Sequence, residues 1–315
     1  MGRGAIHYHT MVDLNSYELE PVPTHKYYVS QKERVIFFRV SFFSISFYFM
    51  QQRLTDPQTI RSLLKKYGLW AKKRFGQNFL VDENVLQTIV ETANIDSEMT
   101  VLEIGPGLGV LTRELLPRAQ KVIAIEIDRD IIPVLRETTH FYRDKFELRN
   151  EHFLDSILPE TPYQVVSNIP YHLTSPILRK LLVETDHRPL SLTLLVQKEV
   201  AEQICNEKKS SLLSLFVAAF GKASLITRVP PSSFFPPPKV DSAILRIDVF
   251  ETPCITKLPI QKVFSTAKQG FHQKRKKLKN LFPERLLRES NIDPNARAET
   301  LSLFDWERLT EQIRS

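Results

Sequence analysis

The chain has 315 residues, with 43 lysines and arginines against 36 aspartates and glutamates, and a formal net charge of +7. Its apolar fraction of 42% and charged fraction of 25% are ordinary for a globular protein and exclude wholesale disorder, a collagen repeat or a coiled coil. Cys205 and Cys254 are too few and too far apart for a disulfide framework or a zinc ribbon, so we expect a reducing, cytoplasmic compartment. A sequence pI of about 9.3 favours an acidic partner such as nucleic acid.

Residues 1–49 are unlike the rest of the chain. The Phe-rich stretch 35–49 is shorter than the roughly 20 residues that a membrane span needs, and Arg39 interrupts it. It begins too deep for a signal peptide, and no small-residue cleavage site follows it. We therefore predict that residues 1–49 are not part of the functional fold, that Met50 is the initiator, and that no membrane partner is involved. An amphiphilic anchor is the alternative.

Residues 50–250 alternate between helical and extended patterns. The first helix is expected over 57–67, with Asp56 as its N-cap and Pro57 as its first residue. Further helices are predicted at 82–93, 108–117, 129–137, 174–184, 197–206 and 210–219. Strands are predicted at 100–105, 121–127, 145–149, 163–167, 191–197, 223–229 and 242–249. This alternation predicts a parallel, doubly wound α/β sheet. Residues 251–315 show only helical periodicity and read as a small C-terminal α-helical domain.

A glycine-rich turn follows the strand predicted at 100–105. Three of the nine glycines of the chain fall within five positions, at Gly105, Gly107 and Gly109. Such a turn between a strand and a helix lets the backbone approach a ligand closely. Glu126 ends the next predicted strand, where an acid can accept hydrogen bonds from ribose hydroxyls. The pattern predicts an adenosine-bearing cofactor, although the third glycine comes one residue earlier than in the dinucleotide fingerprint.

A second motif, Asn168-Ile169-Pro170-Tyr171, follows the apolar strand predicted at 163–167. The carboxyl ends of strands are where open α/β sheets place their sites. The Asn168 side-chain oxygen and the Ile169 carbonyl can both accept hydrogen bonds from an exocyclic amine on a planar base. Pro170 fixes the backbone, and Tyr171 can stack on the ring. A plain turn with a surface tyrosine is the alternative.

Several blocks give the chain a family resemblance. Asn168-Ile-Pro-Tyr171 resembles the signature of amino-group methyltransferases that use S-adenosylmethionine. Three longer blocks resemble the bacterial small-subunit rRNA adenine dimethyltransferases of the kasugamycin-resistance type: Lys73-Arg-Phe-Gly-Gln-Asn-Phe-Leu80, Pro230-Pro-Ser-Ser-Phe-Phe-Pro-Pro-Pro-Lys-Val-Asp-Ser-Ala243 and Phe271-His-Gln-Lys-Arg-Lys-Lys-Leu278. The resemblance covers residues 51–315 and implies a Rossmann-like S-adenosylmethionine-dependent methyltransferase domain over 50–250, followed by a helical RNA-binding domain over 251–315.

The resemblance also implies roles for individual positions. The cofactor would be held by Asn78, Leu80, Gly105, Gly107, Glu126, Glu151 and Asn168. Glu151 stands where the family usually has aspartate, so Asp155 is an alternative contact for the cofactor adenine. The catalytic group would comprise Asn168, Ile169, Pro170 and Tyr171, with Phe234 stacking on the target adenine opposite Tyr171. No metal is expected, because the sulfonium methyl is already activated.

Two basic runs without acids, residues 61–74 and 268–279, are expected to contact phosphates. The candidate RNA-binding residues are Lys72, Lys73, Arg74, Lys274, Arg275, Lys276 and Lys277. The expected activity is dimethylation of two adjacent adenines near the 3′ end of small-subunit rRNA or its ribosomal precursor, by a monomer. Two alternatives remain open: a ribosome-assembly or transcription factor with dispensable catalysis, and a large-subunit rRNA methyltransferase of the antibiotic-resistance type.

Overall fold

The structure is a computed structural model that describes residues 53–72 and 76–314, together with the backbone of three short strands nearer the N-terminus. Contacts divide the chain into two compact units, Met1–Arg53 and Leu54–Ser315. The strands of the first unit, Glu20–Pro21, Tyr27–Gln31 and Arg34–Phe38, pair antiparallel in chain order. The prediction that residues 1–49 stand apart from the functional fold falls mostly on residues outside those described, and it stays a prediction.

The second unit is built on a seven-stranded sheet. Its strands are β1 (Thr100–Ile104), β2 (Lys121–Ile125), β3 (Phe146–Arg149), β4 (Tyr163–Asn168), β5 (Ser191–Gln197), β6 (Gly221–Val229) and β7 (Ser242–Val249), in the spatial order β6-β7-β5-β4-β1-β2-β3. Strands β1 to β5 are parallel. Thr100 pairs with both Lys121 and Tyr163, so the three central strands start level with one another. Their carboxyl ends therefore meet at the same end of the sheet.

Helices cover both faces of this sheet. They are α1 (Pro57–Lys66), α2 (Glu83–Ala93), α3 (Val110–Leu115), α4 (Ile132–Thr138), α5 (Thr174–Leu182), α6 (Lys198–Ile204), α7 (Leu212–Phe220), α8 (Ile260–His272), α9 (Glu284–Glu289) and α10 (Leu303–Arg314). Neighbouring strand residues contribute to opposite faces: Val101 packs with α1 to α4, and Leu102 packs with α5 to α10. Buried residues on both faces confirm the predicted α/β, doubly wound class.

The prediction of an all-parallel sheet is wrong at one edge. Strand β7 runs antiparallel to β5, and β6 runs antiparallel to β7. A parallel connection needs a crossover of a dozen or more residues, usually a helix. The link between β6 and β7 is residues 230–241, where Pro230, Pro231 and the prolines at 236–238 break any helix, so the chain folds straight back.

The first two helices begin where the sequence predicts. Asp56 caps α1, accepting hydrogen bonds from the backbone of Gln58 and Thr59. Asp82 caps α2 in the same way. Helix α3 is shorter than predicted because the turn that precedes it extends to Gly109, whose φ is +86°.

The C-terminal segment is helical, as its periodicity predicts. Its buried residues, among them Phe264, Phe271 and Trp306, belong to the same hydrophobic cluster as Leu102 of the sheet. The helices α8 to α10 therefore share a core with the sheet. The division into a catalytic domain of 50–250 and an RNA-binding domain of 251–315 stays a prediction.

Candidate active site

A cavity opens where β1 and β4 diverge. The ladder between these neighbours ends at the pair Leu102 and Val165. Beyond this pair the Ser167 hydroxyl donates to the Ile104 carbonyl at 2.5 Å and accepts from the Ile104 N–H at 3.3 Å. These side-chain hydrogen bonds replace the backbone hydrogen bonds between the two strands. The strand order reverses direction here, which is where open α/β sheets bind ligands.

The cavity has a volume of about 300 Å³ and brings together most of the residues predicted from the sequence. Its lining includes Asn78, Leu80, Gly105, Gly107, Glu126, Glu151, Asn168, Ile169, Pro170 and Tyr171. Of the two acids proposed for the cofactor adenine, Glu151 lines the cavity. Asp155 lies in a neighbouring 3-10 turn, with its side chain 86% exposed.

The glycine turn forms one wall. Gly105 and Gly107 have φ values of +69° and +59°, in the left-handed region that favours glycine. A Cβ atom on Gly107 would lie 3.3 Å from the Phe79 ring, tighter than ordinary contact. The turn therefore needs glycine both for its backbone conformation and for the close approach of the Phe79 segment.

Glu126 lies on the floor beside this turn. Its side chain is 5% exposed; Oε2 accepts from the Gly107 N–H at 3.1 Å, and Oε1 accepts from the Asp128 N–H at 2.8 Å. Burial raises the pKa of this carboxyl, although the two backbone donors oppose the rise. Each oxygen keeps acceptor capacity for a further donor, so the carboxylate suits a vicinal pair of hydroxyls.

Glu103 lines the same cavity and was not among the candidates from the sequence. Its side chain is 2% exposed, and Oε2 has no hydrogen-bond partner among the described residues. Burial, together with the negative charge of Glu126, raises its pKa to about 8. An acid with an unpartnered oxygen in a closed site suits a cationic ligand. Its position at the end of β1, directly before the glycine turn, was the signal that could have identified it.

Asn168 faces the loop of residues 76–78. Its Nδ2 donates to the Asn78 carbonyl at 3.2 Å, and the Asn78 amide in turn donates to the Gly76 carbonyl at 3.1 Å. With its amide nitrogen held in this way, the Oδ1 atom of Asn168 is turned to the opposite side as an acceptor. A Cβ atom on Gly76 would meet Pro170 at 3.5 Å, so loop and motif pack closely.

Tyr171 is held by strand β7. Its hydroxyl and the Ser242 hydroxyl are hydrogen bonded at 2.5 Å. Burial raises the pKa of Tyr171, so the hydroxyl stays protonated at neutral pH. This hydrogen bond fixes the orientation of the Tyr171 ring, which lies where the cavity meets a second cavity.

Phe234 lies outside the lining of this cavity, and its predicted role in stacking stays a prediction. It pairs with Leu80 in a short antiparallel ladder, its side chain is 3% exposed, and it is absent from the cavity lining. The ring belongs to the hydrophobic cluster that includes Phe79, because the two-residue strand turns it inward. Stacking of Phe234 on a base opposite Tyr171 is not supported by this placement.

Lys72 is engaged in ion pairs within the protein. Its ammonium bonds Asp128 at 2.7 Å and Asp130 at 2.5 Å, and its side chain is only 13% exposed. Gln77 completes the arrangement: it donates to Asp128 at 2.8 Å and accepts from the Lys72 N–H at 2.9 Å. Lys72 thus ties the loop to the end of β2, and its contact with an RNA phosphate stays a prediction. Lys73 and Arg74 lie outside the described residues.

The second basic run lies at the end of α8. Lys274, Arg275, Lys276 and Lys277 are all exposed. A second cavity adjoins it, lined by Tyr171 and His172 on one side and by residues of α8 and its end, including Lys268 and Lys274, on the other. Because Tyr171 and His172 line both cavities, the basic run adjoins the candidate active site.

Comparison with known proteins identifies the family. A family model described as ribosomal RNA adenine dimethylase matches residues 68–314.

The chain belongs to the ribosomal RNA adenine dimethylase family.

It is accordingly an rRNA adenine methyltransferase whose methyl donor is S-adenosylmethionine. Its relatives include the ribosomal RNA small subunit methyltransferase A of Alkaliphilus oremlandii, 36% identical over 81% of this chain and 96% of the relative. The protein of the same name from Dehalococcoides mccartyi is 39% identical over 79% of this chain and 90% of the relative.

Two solved structures of similar proteins agree with the fold. The 23S rRNA methyltransferase ErmE is 30% identical, covers 76% of this chain and 100% of its own, and superposes with a TM-score of 0.63. A dimethyladenosine transferase from Plasmodium falciparum is 28% identical, with coverages of 73% and 95% and a TM-score of 0.65. The predicted Rossmann-like methyltransferase fold is confirmed. Within the described residues, no helix is long and apolar enough to cross a membrane.

Proposed function

We propose that this enzyme dimethylates the N6 amino groups of two adjacent adenines near the 3′ end of small-subunit rRNA. The observation that supports the chemistry is the single cavity that joins the glycine turn, Glu126 and the Asn168–Tyr171 motif. The choice of subunit is supported by the curated relatives named small subunit methyltransferase A, which are 35–39% identical to this chain and of which it covers 90% or more.

The donor set fits the cofactor. S-Adenosylmethionine supplies a methyl group already activated by a sulfonium, and it carries an amino-acid ammonium and a ribose besides. Glu126, with both oxygens oriented by backbone donors, would hold the ribose hydroxyls. Glu103, with its unpartnered buried oxygen, would face the positive charge of the cofactor. Gly105 and Gly107 would allow the backbone to approach it, and Glu151 would accept from its adenine amine.

Catalysis then rests on orientation and fixed dipoles. The lone pair of an adenine amine is delocalised into the ring, so the enzyme has to place the nitrogen in line and stabilise the charge that develops on it. The Asn168 Oδ1 and the Ile169 carbonyl would accept the two amine hydrogens. Pro170 fixes the direction of that carbonyl. The methylated amine loses its proton readily, so no dedicated base is required. The target adenine would be turned out of its stack and packed against Tyr171.

One observation favours a second candidate. ErmE, a 23S rRNA methyltransferase, shares 30% identity and its whole length with this chain. Large-subunit methylation is therefore the alternative to test. We further propose that the enzyme acts in the cytoplasm as a monomer and contributes to small-subunit biogenesis. Sedimentation of the purified protein tests the oligomeric state.

The deciding experiment offers labelled S-adenosylmethionine with small ribosomal subunits that lack the modification, and separately with unmodified large subunits. We expect four methyl groups per small subunit, two on each of two neighbouring adenines, and none on the large subunit. The Asn168→Ala variant is the control for background transfer. Label on the large subunit alone would overturn the proposal in favour of the alternative.

A further inference from the structure

Trp70 is 72% exposed, although tryptophan is usually largely buried. We propose that Trp70 is a stacking platform for an unpaired base of the RNA substrate. The inference rests on the proposed RNA substrate and adds a contact that the glycine turn and the Asn168–Tyr171 motif do not provide.

The backbone around Trp70 is fixed. Helix α1 ends in a Schellman motif: the Leu69 N–H donates to the Leu64 carbonyl at 2.7 Å, and the Gly68 N–H donates to the Lys65 carbonyl at 3.0 Å. Leu69 and Ala71, on either side of Trp70, both pack against the hydrophobic cluster of the α1 to α4 face. The indole is therefore displayed outward from an anchored segment, and little conformational entropy is lost when a base stacks on it.

The surroundings of Trp70 carry positive charge. Residues 57–81 contain no acid, and Arg61 and Lys65 are exposed on the helix that leads to Trp70. An aromatic platform beside exposed cations is the combination that binds single-stranded nucleic acid, since the ring stacks on the base while the cations attract the backbone. A lipid surface would instead require several exposed apolar side chains, and in 64–72 of this segment Trp70 is the one large apolar residue that is exposed.

The segment that carries Trp70 is connected to the active site through Lys72. Two residues after Trp70, Lys72 bonds Asp128, whose N–H donates to Glu126 in the cavity floor. Two residues of chain span about 7 Å at most, so the backbone of Trp70 lies within that distance of the backbone of Lys72. A base stacked on Trp70 would belong to the same strand as the flipped adenine, which would pack against Tyr171. Two aromatic contacts would then hold the strand, one at the target base and one at another unpaired base.

The two tryptophans of the chain make this measurable. Trp306 is fully buried, so Trp70 alone is accessible to RNA. The probe is a synthetic RNA stem–loop with two adjacent adenines in its single-stranded loop. We expect saturating stem–loop to quench tryptophan emission of the wild-type protein by about half, the share of one of two tryptophans, and to leave the emission of Trp70→Phe unchanged.

Affinity provides the second readout, measured by anisotropy of the labelled stem–loop. Trp70→Ala should weaken binding by about 5- to 150-fold, the loss of one stacked base. Trp70→Phe, which keeps a ring, should bind within a few-fold of wild type. Since indole carries no charge, the slope of log K against log salt should be the same in all three proteins.

Leu190→Ala is the matched control, because Leu190 is also an exposed apolar residue. It directly precedes β5, at the amino ends of the parallel strands and away from the active site. It should leave RNA binding unchanged. Unquenched Trp70 at saturation, or equal affinity of Trp70→Ala and wild type, would overturn the platform. Methylation of unmodified small subunits by the wild-type protein is measured in parallel, so failure of the proposed function is recognised separately.

Discussion

The two basic runs look alike in the sequence and differ in the structure. In the first run, Lys66 bonds Glu137 and Lys72 bonds Asp128 and Asp130, so part of its charge is neutralised within the protein. In the second run, Lys274, Arg275 and Lys276 are exposed and enter none of the ion pairs found in the described part of the chain. A lysine in an ion pair holds other protein side chains in place, whereas an exposed cation is available to a binding partner. Replacing a basic residue should therefore have different consequences in the two runs.

The largest effect should come from a partnered polar group at the reacting atoms. Replacing Asn168 by alanine removes the acceptor that its bond to Asn78 orients. We expect the methylation rate to fall by roughly 10²–10³-fold, the scale of losing one preorganised polar group, with little change in cofactor affinity. Single-turnover kinetics measure the rate, and calorimetry measures the affinity. A near-wild-type rate would contradict the assigned role.

Lys72 is the direct test of the comparison. The Lys72→Met variant keeps the apolar stem but leaves Asp128, which is 4% exposed, without its cation. We expect the free energy of unfolding to fall by about 3 kcal/mol, with an unchanged salt dependence of RNA binding. Urea denaturation and RNA titration measure the two quantities.

The matched control is Lys65→Met, an exposed lysine in the same run, which should alter stability by no more than about 0.5 kcal/mol. Equal stability losses in both variants would remove the distinction between partnered and exposed lysines.

Glu103 is a buried acid whose Oε2 has no hydrogen-bond partner among the described residues, and it gives a pH-dependent prediction. Its folded-state pKa of about 8 lies above the ordinary value of 4.5. Between these values the folded state binds more protons than the unfolded state, so this residue lowers stability as the pH rises and has no further effect above the folded pKa.

Glu103→Gln, which cannot ionise, should therefore be more stable than the wild type at pH 9 by at least about 1.4 kcal/mol, the worth of one pKa unit. The advantage should shrink as the pH falls towards 5. Urea unfolding of the cofactor-free proteins at several pH values measures it. Parallel curves for the two proteins would contradict the raised pKa of this buried carboxyl.

The smallest effect should come from a single exposed cation. We expect Lys274→Ala to weaken RNA binding several-fold and to reduce the salt slope by about 1, the contribution of one phosphate contact. Stability and cofactor affinity should not change. Lys257→Ala, an exposed lysine outside the run, is the control. An unchanged slope would indicate that the run does not contact phosphates.

What the sequence could predict followed from local chemistry. The glycine turn, Glu126 and the Asn168–Tyr171 motif each directly follow an apolar strand, and the carboxyl ends of parallel strands meet at one edge, so the assembly of these groups was foreseeable. The helix starts at Asp56 and Asp82 could also be predicted, because an N-cap side chain bonds the backbone of the next three residues.

What it could not predict depends on contacts between distant segments. Lys72 meets Asp128 across 56 positions of the chain, and nothing near Lys72 reports that partner. Phe234 is turned inward by pairing with Leu80, and β6 and β7 run antiparallel because of where the proline-rich link lets the chain return. The exposure of Trp70 was equally hidden, since a tryptophan between two apolar residues has the pattern of a buried segment.

The hydrogen bond between Asn168 and the Asn78 carbonyl has a thermodynamic consequence. The loop that carries Asn78 lines the cavity assigned to the cofactor, while Asn168 is assigned to the target base. Any ligand that orders the loop therefore also presets the acceptor for the other ligand. Linkage makes such coupling mutual: the factor by which cofactor tightens RNA binding equals the factor by which RNA tightens cofactor binding. One bond of 3.2 Å thus connects the loop that lines the cofactor cavity to the side chain assigned to the target base.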